Sequence, residues 1–471
     1  VALQDAPTLM REAQALKAAG RLEEAISRYR EAIAANPRSG VAEHNLAACL
    51  GDSGRWAEAE PHIRAAFAKG IDAPETWLVL GRCEQALGRI DESEAAMRQA
   101  IRRRGDLIDA QRELAQLVWM RSGDAEAALK EIDAALKAAP GHSGLSFVKA
   151  QALEFMGRAD EAYGLMLRMA EAHPQAGSVL VYASQLAVVL GRAEAGLQFA
   201  ERAYRIAPHE LPVMVTLTEA LLAMGEAKRA SDLAGDMRRK WSTNQHAIAL
   251  QATAWRMLGD ARYQRLHDYA SLVGAALLDV PAGWRSLEAY VADVAAALNA
   301  LHAYREHPFN QSVRHGSQAV DILQQKHPAL RALPQALDGP IKRRLKELGP
   351  GDDPVRARNR GTYAFQGMWS VKLRPGGYHI DHVHPQGWLS SACYIETVAP
   401  KGREGWIRFG QPGVKTQPAM EAEHFVEPKP GMLVLFPSYM WHGTVPFTGD
   451  KPRLTFAFDL VPGPVELPEH D

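Results

Sequence analysis

Two stretches, AGRLEEAISRYREAIAANP (Ala19–Pro37) and MGRADEAYGLMLRMAEAHP (Met156–Pro174), decide how the first half of this chain reads. Each carries a glycine at its second position, places a small residue five positions after it and ends on a proline. The same glycine recurs at Gly20, Gly54, Gly88, Gly123, Gly157, Gly191, Gly225 and Gly259, in steps of 34 residues with a single step of 35. The small residues that follow are Ala25, Ala59, Ser93, Ala128, Ala162, Gly196 and Ala230; only the last unit breaks the rule, with Gln264. Prolines fall seventeen residues after four of the glycines, at Pro37, Pro140, Pro174 and Pro208. Glycine permits a left-handed turn between two helices, the small residue lets them approach, and proline stops the second helix. A unit repeated in this way is a helix–turn–helix.

This pattern closely resembles the tetratricopeptide repeat, and the resemblance covers residues 1–265. It implies an all-α solenoid whose groove holds a peptide or protein segment. A homodimer surface and a plain spacer are the other uses of such an array. The many Arg, Glu and Lys on these helices fit a solvated face.

From Leu266 to about Leu348 the register is lost while helical patterning continues, as in SLEAYVADVAAALNALHAY (Ser286–Tyr304). HPFNQSVRHGSQ (His307–Gln318) reads as a capped polar loop, with Arg314 or Gln318 as a candidate pocket wall. His302 and His327 read as surface residues. Gly349–Pro354, GPGDDP, reads as a turn. A second domain is expected over 266–471, with a helical lead-in at 266–355 and a β core at 356–471.

Composition narrows the function. The 471 residues carry a net charge of -1, so neither nucleic acid nor an anionic membrane is an expected partner. Cys49, Cys83 and Cys393 fall in no metal or disulfide spacing, which favours a reducing cytoplasm. Cys393 is expected to be buried and inert. No apolar run approaches the ~20 residues that span a bilayer. The first residues, VALQDAPTLMREAQ, lack the basic-then-apolar pattern of a signal peptide.

After Arg360 short strand-like runs appear between Gly and Pro: Tyr363–Leu373, Leu389–Val398, Gly405–Phe409, Met432–Phe436 and Leu454–Leu460. They suggest an antiparallel sandwich or jelly roll. Within RPGGYHIDHVHPQGWLSSACY (Arg374–Tyr394) lie His379, Asp381, His382 and His384. Residues two apart in a strand share a face, so His379 with Asp381, or His382 with His384, could supply two metal ligands. His442, in FPSYMWHG (Phe436–Gly443), is the candidate third. Trp369, Lys372, Tyr378, Trp388, Ser391, Tyr394 and Trp441 are candidate pocket walls, with Tyr394 and Trp388 favoured by their nearness to the ligand pair.

Three ordered blocks, Gly376–Glu396, Lys429–Phe447 and Lys451–Leu460, resemble the Fe(II)/2-oxoglutarate-dependent oxygenase superfamily. The nearest pattern is a bacterial branch with a G-G-x-x-x-x-H-x-H-P stretch ahead of L-S-x-x-x-Y. The resemblance implies a double-stranded β-helix with supporting helices and a multidomain α + β chain. It implies Fe(II) on His382, His384 and His442, and 2-oxoglutarate held by Arg453 with Thr455 and Tyr394. His384 stands where most members carry a carboxylate, so the set His379, Asp381 and His442 stays open, with Asp381 otherwise an acceptor for a ligand imidazole. The implied activity is hydroxylation of a substrate C–H bond, here in a peptide or protein captured by the repeats. Aspartyl/asparaginyl β-hydroxylases are similar in plan. A non-catalytic metal-binding scaffold, or a three-histidine dioxygenase that ignores 2-oxoglutarate, would also fit these residues.

Overall fold

The computed structural model describes residues 5–398 and 401–463. The chain separates into two compact units, Val1–Trp119 with Asp124–Met156, and Met120–Gly123 with Gly157–Asp471. The first is all-α. Its helices are α1 (Ala6–Ala18), α2 (Leu22–Ala35), α3 (Gly40–Asp52), α4 (Trp56–Ala68), α5 (Pro74–Ala86), α6 (Ile90–Arg103), α7 (Ile108–Ser122), α8 (Ala125–Ala138) and α9 (Ser143–Phe155). All eight repeat glycines take φ between 66° and 82°, the left-handed turn expected of them. The small residues are buried where paired helices touch. Ser93 also donates its hydroxyl to the Gly81 carbonyl at 2.7 Å, so this side chain is satisfied inside the contact.

The second unit begins with α10 (Ala159–Ala172), α11 (Gly177–Val189), α12 (Ala193–Ile206), α13 (Leu211–Ala223), α14 (Ala227–Lys240) and α15 (Gln245–Leu258). Short α16 (Arg262–Leu266) and α17 (Tyr269–Leu272) follow, then β1 (Gly274–Leu277), α18 (Leu287–Leu301), β2 (Val313–Ala319), α19 (Pro328–Arg331) and α20 (Leu333–Leu348). The remaining strands are β3 (Tyr363–His379), β4 (Leu389–Glu396), β5 (Ile407–Phe409), β6 (His424–Val426), β7 (Met432–Pro437), β8 (His442–Thr444) and β9 (Arg453–Pro462). They form two antiparallel sheets, ordered β1-β7-β4-β9-β3-β2 and β6-β5-β8. Phe409 and Phe436 meet between the sheets, ring centroids 4.9 Å apart. Among the described residues no helix is long and apolar enough to cross a membrane.

One hydrophobic core runs from Met214 and Leu217 of α13 through Ile248 of α15 to Phe436, Phe456 and Phe458 of the large sheet. Polar bonds reinforce it. The Tyr439 hydroxyl donates to the Leu266 carbonyl at 2.9 Å, and Arg256 of α15 donates to the carbonyls of Gly410 and Glu421 at 2.8 and 3.0 Å. The last repeats and the sheets are therefore packed as one body.

Two expectations are corrected here. The segment read as a capped loop at His307–Gln318 contributes most of edge strand β2, which pairs with β3. Its VRHGSQA sequence lacks the apolar–polar alternation that marks a strand, and Gly316 is needed because a Cβ there would lie 2.6 Å from the Lys372 carbonyl oxygen. His302 is not a free surface residue: its two ring nitrogens bond the Ser317 and Ser370 hydroxyls at 2.8 and 3.0 Å, and burial lowers its pKa to about 4. His327 caps α19 and is exposed, as read.

Candidate metal centre

The loop leaving β3 is tied to β8 by a two-way backbone bridge. The His382 N–H donates to the His442 carbonyl at 2.9 Å, and the His442 N–H returns to the His382 carbonyl at 3.1 Å. The His384 N–H donates to the Ser438 carbonyl at 3.0 Å. Two distant stretches thus bring three imidazoles together. Their candidate ligand atoms all lie within 4.8 Å of one another, and the ring centroids are 4.2 to 5.2 Å apart.

Each ring is held by its Nδ1. In His382 and His442 this atom donates to the carbonyl two residues upstream, Ile380 at 2.8 Å and Met440 at 2.9 Å. In His384 it bonds the Asp459 carboxylate at 2.6 Å, and the Ser390 hydroxyl fixes the other oxygen of Asp459, also at 2.6 Å. Protons on Nδ1 leave the Nε2 lone pairs free for a metal, and a carboxylate behind a ligand imidazole raises its basicity. The Nε2 atoms of His382 and His384 face each other at 3.2 Å. Two lone pairs that close repel unless a cation sits between them. Burial and the neighbouring rings push His382 down to about 3 and His442 well below the usual range, so both are neutral donors at physiological pH. This donor set fits a divalent transition metal such as iron.

Arg453 acts electrostatically on His379, the ring that packs 6.0 Å from His382. Arg453 opens β9, is 2% exposed, and its Nε and Nη1 have no hydrogen-bond partner within the protein. Its guanidinium carbon stands 5.0 Å from the centre of the buried Tyr394 ring. Thr455 pairs with Tyr394 across the sheet and is buried. Among the described residues no carboxylate pairs with Arg453, and burial lowers its pKa. A buried guanidinium in this state is matched by a planar, anionic ligand able to take two parallel hydrogen bonds.

The remaining candidates divide. Asp381 is not in the cluster, because its carboxylate is gripped by Arg408 of β5 through Nε at 3.0 Å and an Nη at 2.6 Å. The acceptor for a ligand imidazole is Asp459 instead. His379 packs 6.0 Å from His382 and bonds the Ser312 hydroxyl at 2.9 Å; Ser312 also faces His382 Nε2 at 3.3 Å. Trp369 stacks on His384, 5.7 Å between centroids, and so walls the site. Trp388 does not. It is fully buried with its indole N–H bonded to the Val355 carbonyl at 2.9 Å, because its parity turns it into the core. Ser391 likewise bonds the β9 backbone, at the Phe458 carbonyl. Arg314 folds onto the carbonyls of Gln311 and Val313, with its charge within reach of His379. Trp441 turns toward the repeats and donates its indole N–H to Thr253 of α15 at 2.9 Å. Cys393 is buried and its thiol is pushed well up, as read. Sequence reading missed the roles of Ser312, Ser390, Arg408 and Asp459. Only for Asp459 was there a signal, its strand parity with Arg453 and Thr455.

Comparison with known families places a domain described as "Putative 2OG-Fe(II) oxygenase" at residues 367–459, spanning all three histidines and Arg453. Tetratricopeptide repeats match at 16–70, 50–107 and 78–143. The chain therefore joins N-terminal tetratricopeptide repeats to a C-terminal domain of that oxygenase family. Similar solved structures include a tetratricopeptide repeat protein from Parabacteroides merdae, 15% identical over 53% of this chain and 98% of its own, TM-score 0.39. Another is the C-terminal part of a repeat-containing protein from Cytophaga hutchinsonii, 14% identical over 55% and 95%, TM-score 0.37. No curated protein matches.

Proposed function

We propose that this protein is an Fe(II)- and 2-oxoglutarate-dependent dioxygenase that hydroxylates a peptide or protein held by its repeats. Residues 1–265 hold the substrate in this reading and 266–471 carry the chemistry. The observation that carries it is the convergence of three imidazoles, together with a buried Arg453 whose Nε and Nη1 have no partner and whose charge acts on His379 nearby. His382, His384 and His442 would hold the metal. Arg453 would grip the far carboxylate of 2-oxoglutarate, with Thr455 and Tyr394 alongside. The bound metal and cosubstrate supply oxygen activation. The chain's own residues do the rest: Asp459 keeps the His384 proton on Nδ1, Trp369 shields one flank from water, and the Asp381–Arg408 pair fixes the loop that carries two ligands.

The ligand set has no carboxylate, which favours a second reading, a three-histidine dioxygenase that needs no cosubstrate. Anaerobic Fe(II) titration with 2-oxoglutarate, followed by oxygen, separates the readings. Cosubstrate-dependent oxygen uptake with succinate release supports the first. Oxygen uptake indifferent to 2-oxoglutarate supports the second, and metal binding with no turnover under either condition leaves a binding scaffold.

A further inference from the structure

Gln185, Glu219 and Thr253 stand 34 residues apart and occupy the same place on α11, α13 and α15. Thr253 receives the indole N–H of Trp441, the residue before His442, so this row leads away from the metal strand. One repeat back comes Glu219. Its single ion-pair partner among the described residues is His246, with His246 Nε2 3.4 Å from Glu219 Oε1. The contact lacks hydrogen-bond geometry, and His246 Nε2 is buried without a hydrogen-bond partner. The His246 ring meets Trp441 edge-on at 5.7 Å, and the N–H of its neighbour Gln245 donates to the carbonyl of Pro385, next to His384. His246, which faces Glu219, and its neighbour Gln245 therefore lie against residues flanking two of the three clustered histidines; the Glu219 and His246 side chains remain 16% and 22% exposed, so a ligand can reach them.

Neighbouring acids show how unusual this is. Glu201 pairs with Arg229 at 3.0 Å and Asp160 with Arg192 at 2.8 Å. No lysine or arginine among the described residues pairs with Glu219. Burial alone pushes its carboxyl up to about 7, and burial holds His246 down to about 4, so His246 supplies no counter-charge to Glu219. An acid buried without a cation is costly unless a partner arrives. On the same row Gln185 donates to the Thr216 hydroxyl at 3.3 Å, which leaves its amide oxygen as a second acceptor.

We propose that this row, with Glu219 as counter-charge, holds a lysine or arginine side chain of the peptide whose neighbouring residue reaches the metal centre. The inference rests on the oxygenase reading above and adds the substrate's class: a basic peptide. A cation there is matched by Glu219 and by the amide oxygen of Gln185, whereas an acidic or apolar residue leaves the carboxyl unmatched.

The test uses the full chain and fluorescent decapeptide pools, random except for one central residue fixed as Lys, Arg, Gln or Glu. Binding is read by anisotropy for the natural protein, Glu219→Gln and Glu219→Lys. The Lys and Arg pools are expected to bind the natural protein about tenfold more tightly than the Gln pool. That preference disappears in Glu219→Gln and turns toward the Glu pool in Glu219→Lys. Equal binding of all pools, or a basic preference that survives in Glu219→Gln, overturns the proposal. 2-Oxoglutarate binding with Mn(II) is measured on the same samples. Its absence in the natural protein sinks the oxygenase reading while leaving the peptide result readable, and its retention in both variants shows that they fold.

Discussion

Arg453 is kept buried at a cost to the fold, since a guanidinium without an anion is worse placed than an apolar side chain of similar size. Arg453→Met is therefore expected to weaken 2-oxoglutarate binding about 100-fold, roughly 3 kcal/mol, while raising folding stability by about 1 kcal/mol. Calorimetry with Mn(II) and urea unfolding check the two halves. Asp459→Asn keeps the shape but removes the charge behind His384, and should lower metal affinity about 10- to 100-fold, read by competition with a chelating dye. Glu219 carries its own pH signature. Its folded pKa of about 7 lies above its ordinary 4.5, so the folded state holds the proton more tightly, and stability is lost as pH rises through that window. The loss is on the order of 2–3 kcal/mol, and Glu219→Gln should escape it: equal to the natural protein near pH ~4, more stable near pH ~8, by thermal melts. At this scale the clustering of the three histidines was legible because motif and spacing single them out. Trp388 was misread because nearness in sequence to His384 says nothing about the face a side chain takes. Asp459 was half-legible, since its parity was visible but its partner lay seventy-five residues away.

The repeat helices were legible at the level of elements because a turn glycine every 34 residues has one geometrical meaning, and all eight take the left-handed conformation. Strands β1, β2 and β6 were not. They are short or lack alternation, and their existence depends on a neighbour already being in place. The pairing of the ligand loop with β8 depends on one such constraint. A Cβ at Gly443 would lie 2.6 Å from Asp381 Oδ1, so glycine there lets the Asp381–Arg408 pair lie across the strand beside His442. Gly443→Ala should displace that pair and lower stability by about 3 kcal/mol or more, with metal affinity falling in parallel. Urea unfolding and metal titration of one preparation check both.

At the scale of the molecule, repeat periodicity suggests a boundary near residue 265, while the second compact unit takes in α10–α15 together with the sheets. Periodicity reports chain geometry and is blind to which face is later covered. The core shared by Leu217, Ile248 and Phe436 is invisible until the fold is known. A fragment beginning at residue 157 should melt in one cooperative step. A fragment beginning at residue 266 loses Thr253, the partner of Trp441, and Arg256, the donor to Gly410 and Glu421; it bares a large apolar surface and should be insoluble or lack a sharp transition.

The single hydrogen bond from Trp441 to Thr253 also bears on how such proteins can diversify. Recombination that grafts a foreign array onto this domain must carry α15 along with the sheets, or sever a strut one residue from the clustered His442. Repeats ahead of α10 lie outside the compact unit that holds the sheets, so lineages of this architecture should vary in array length at the far end and keep α10–α15 with the sheets.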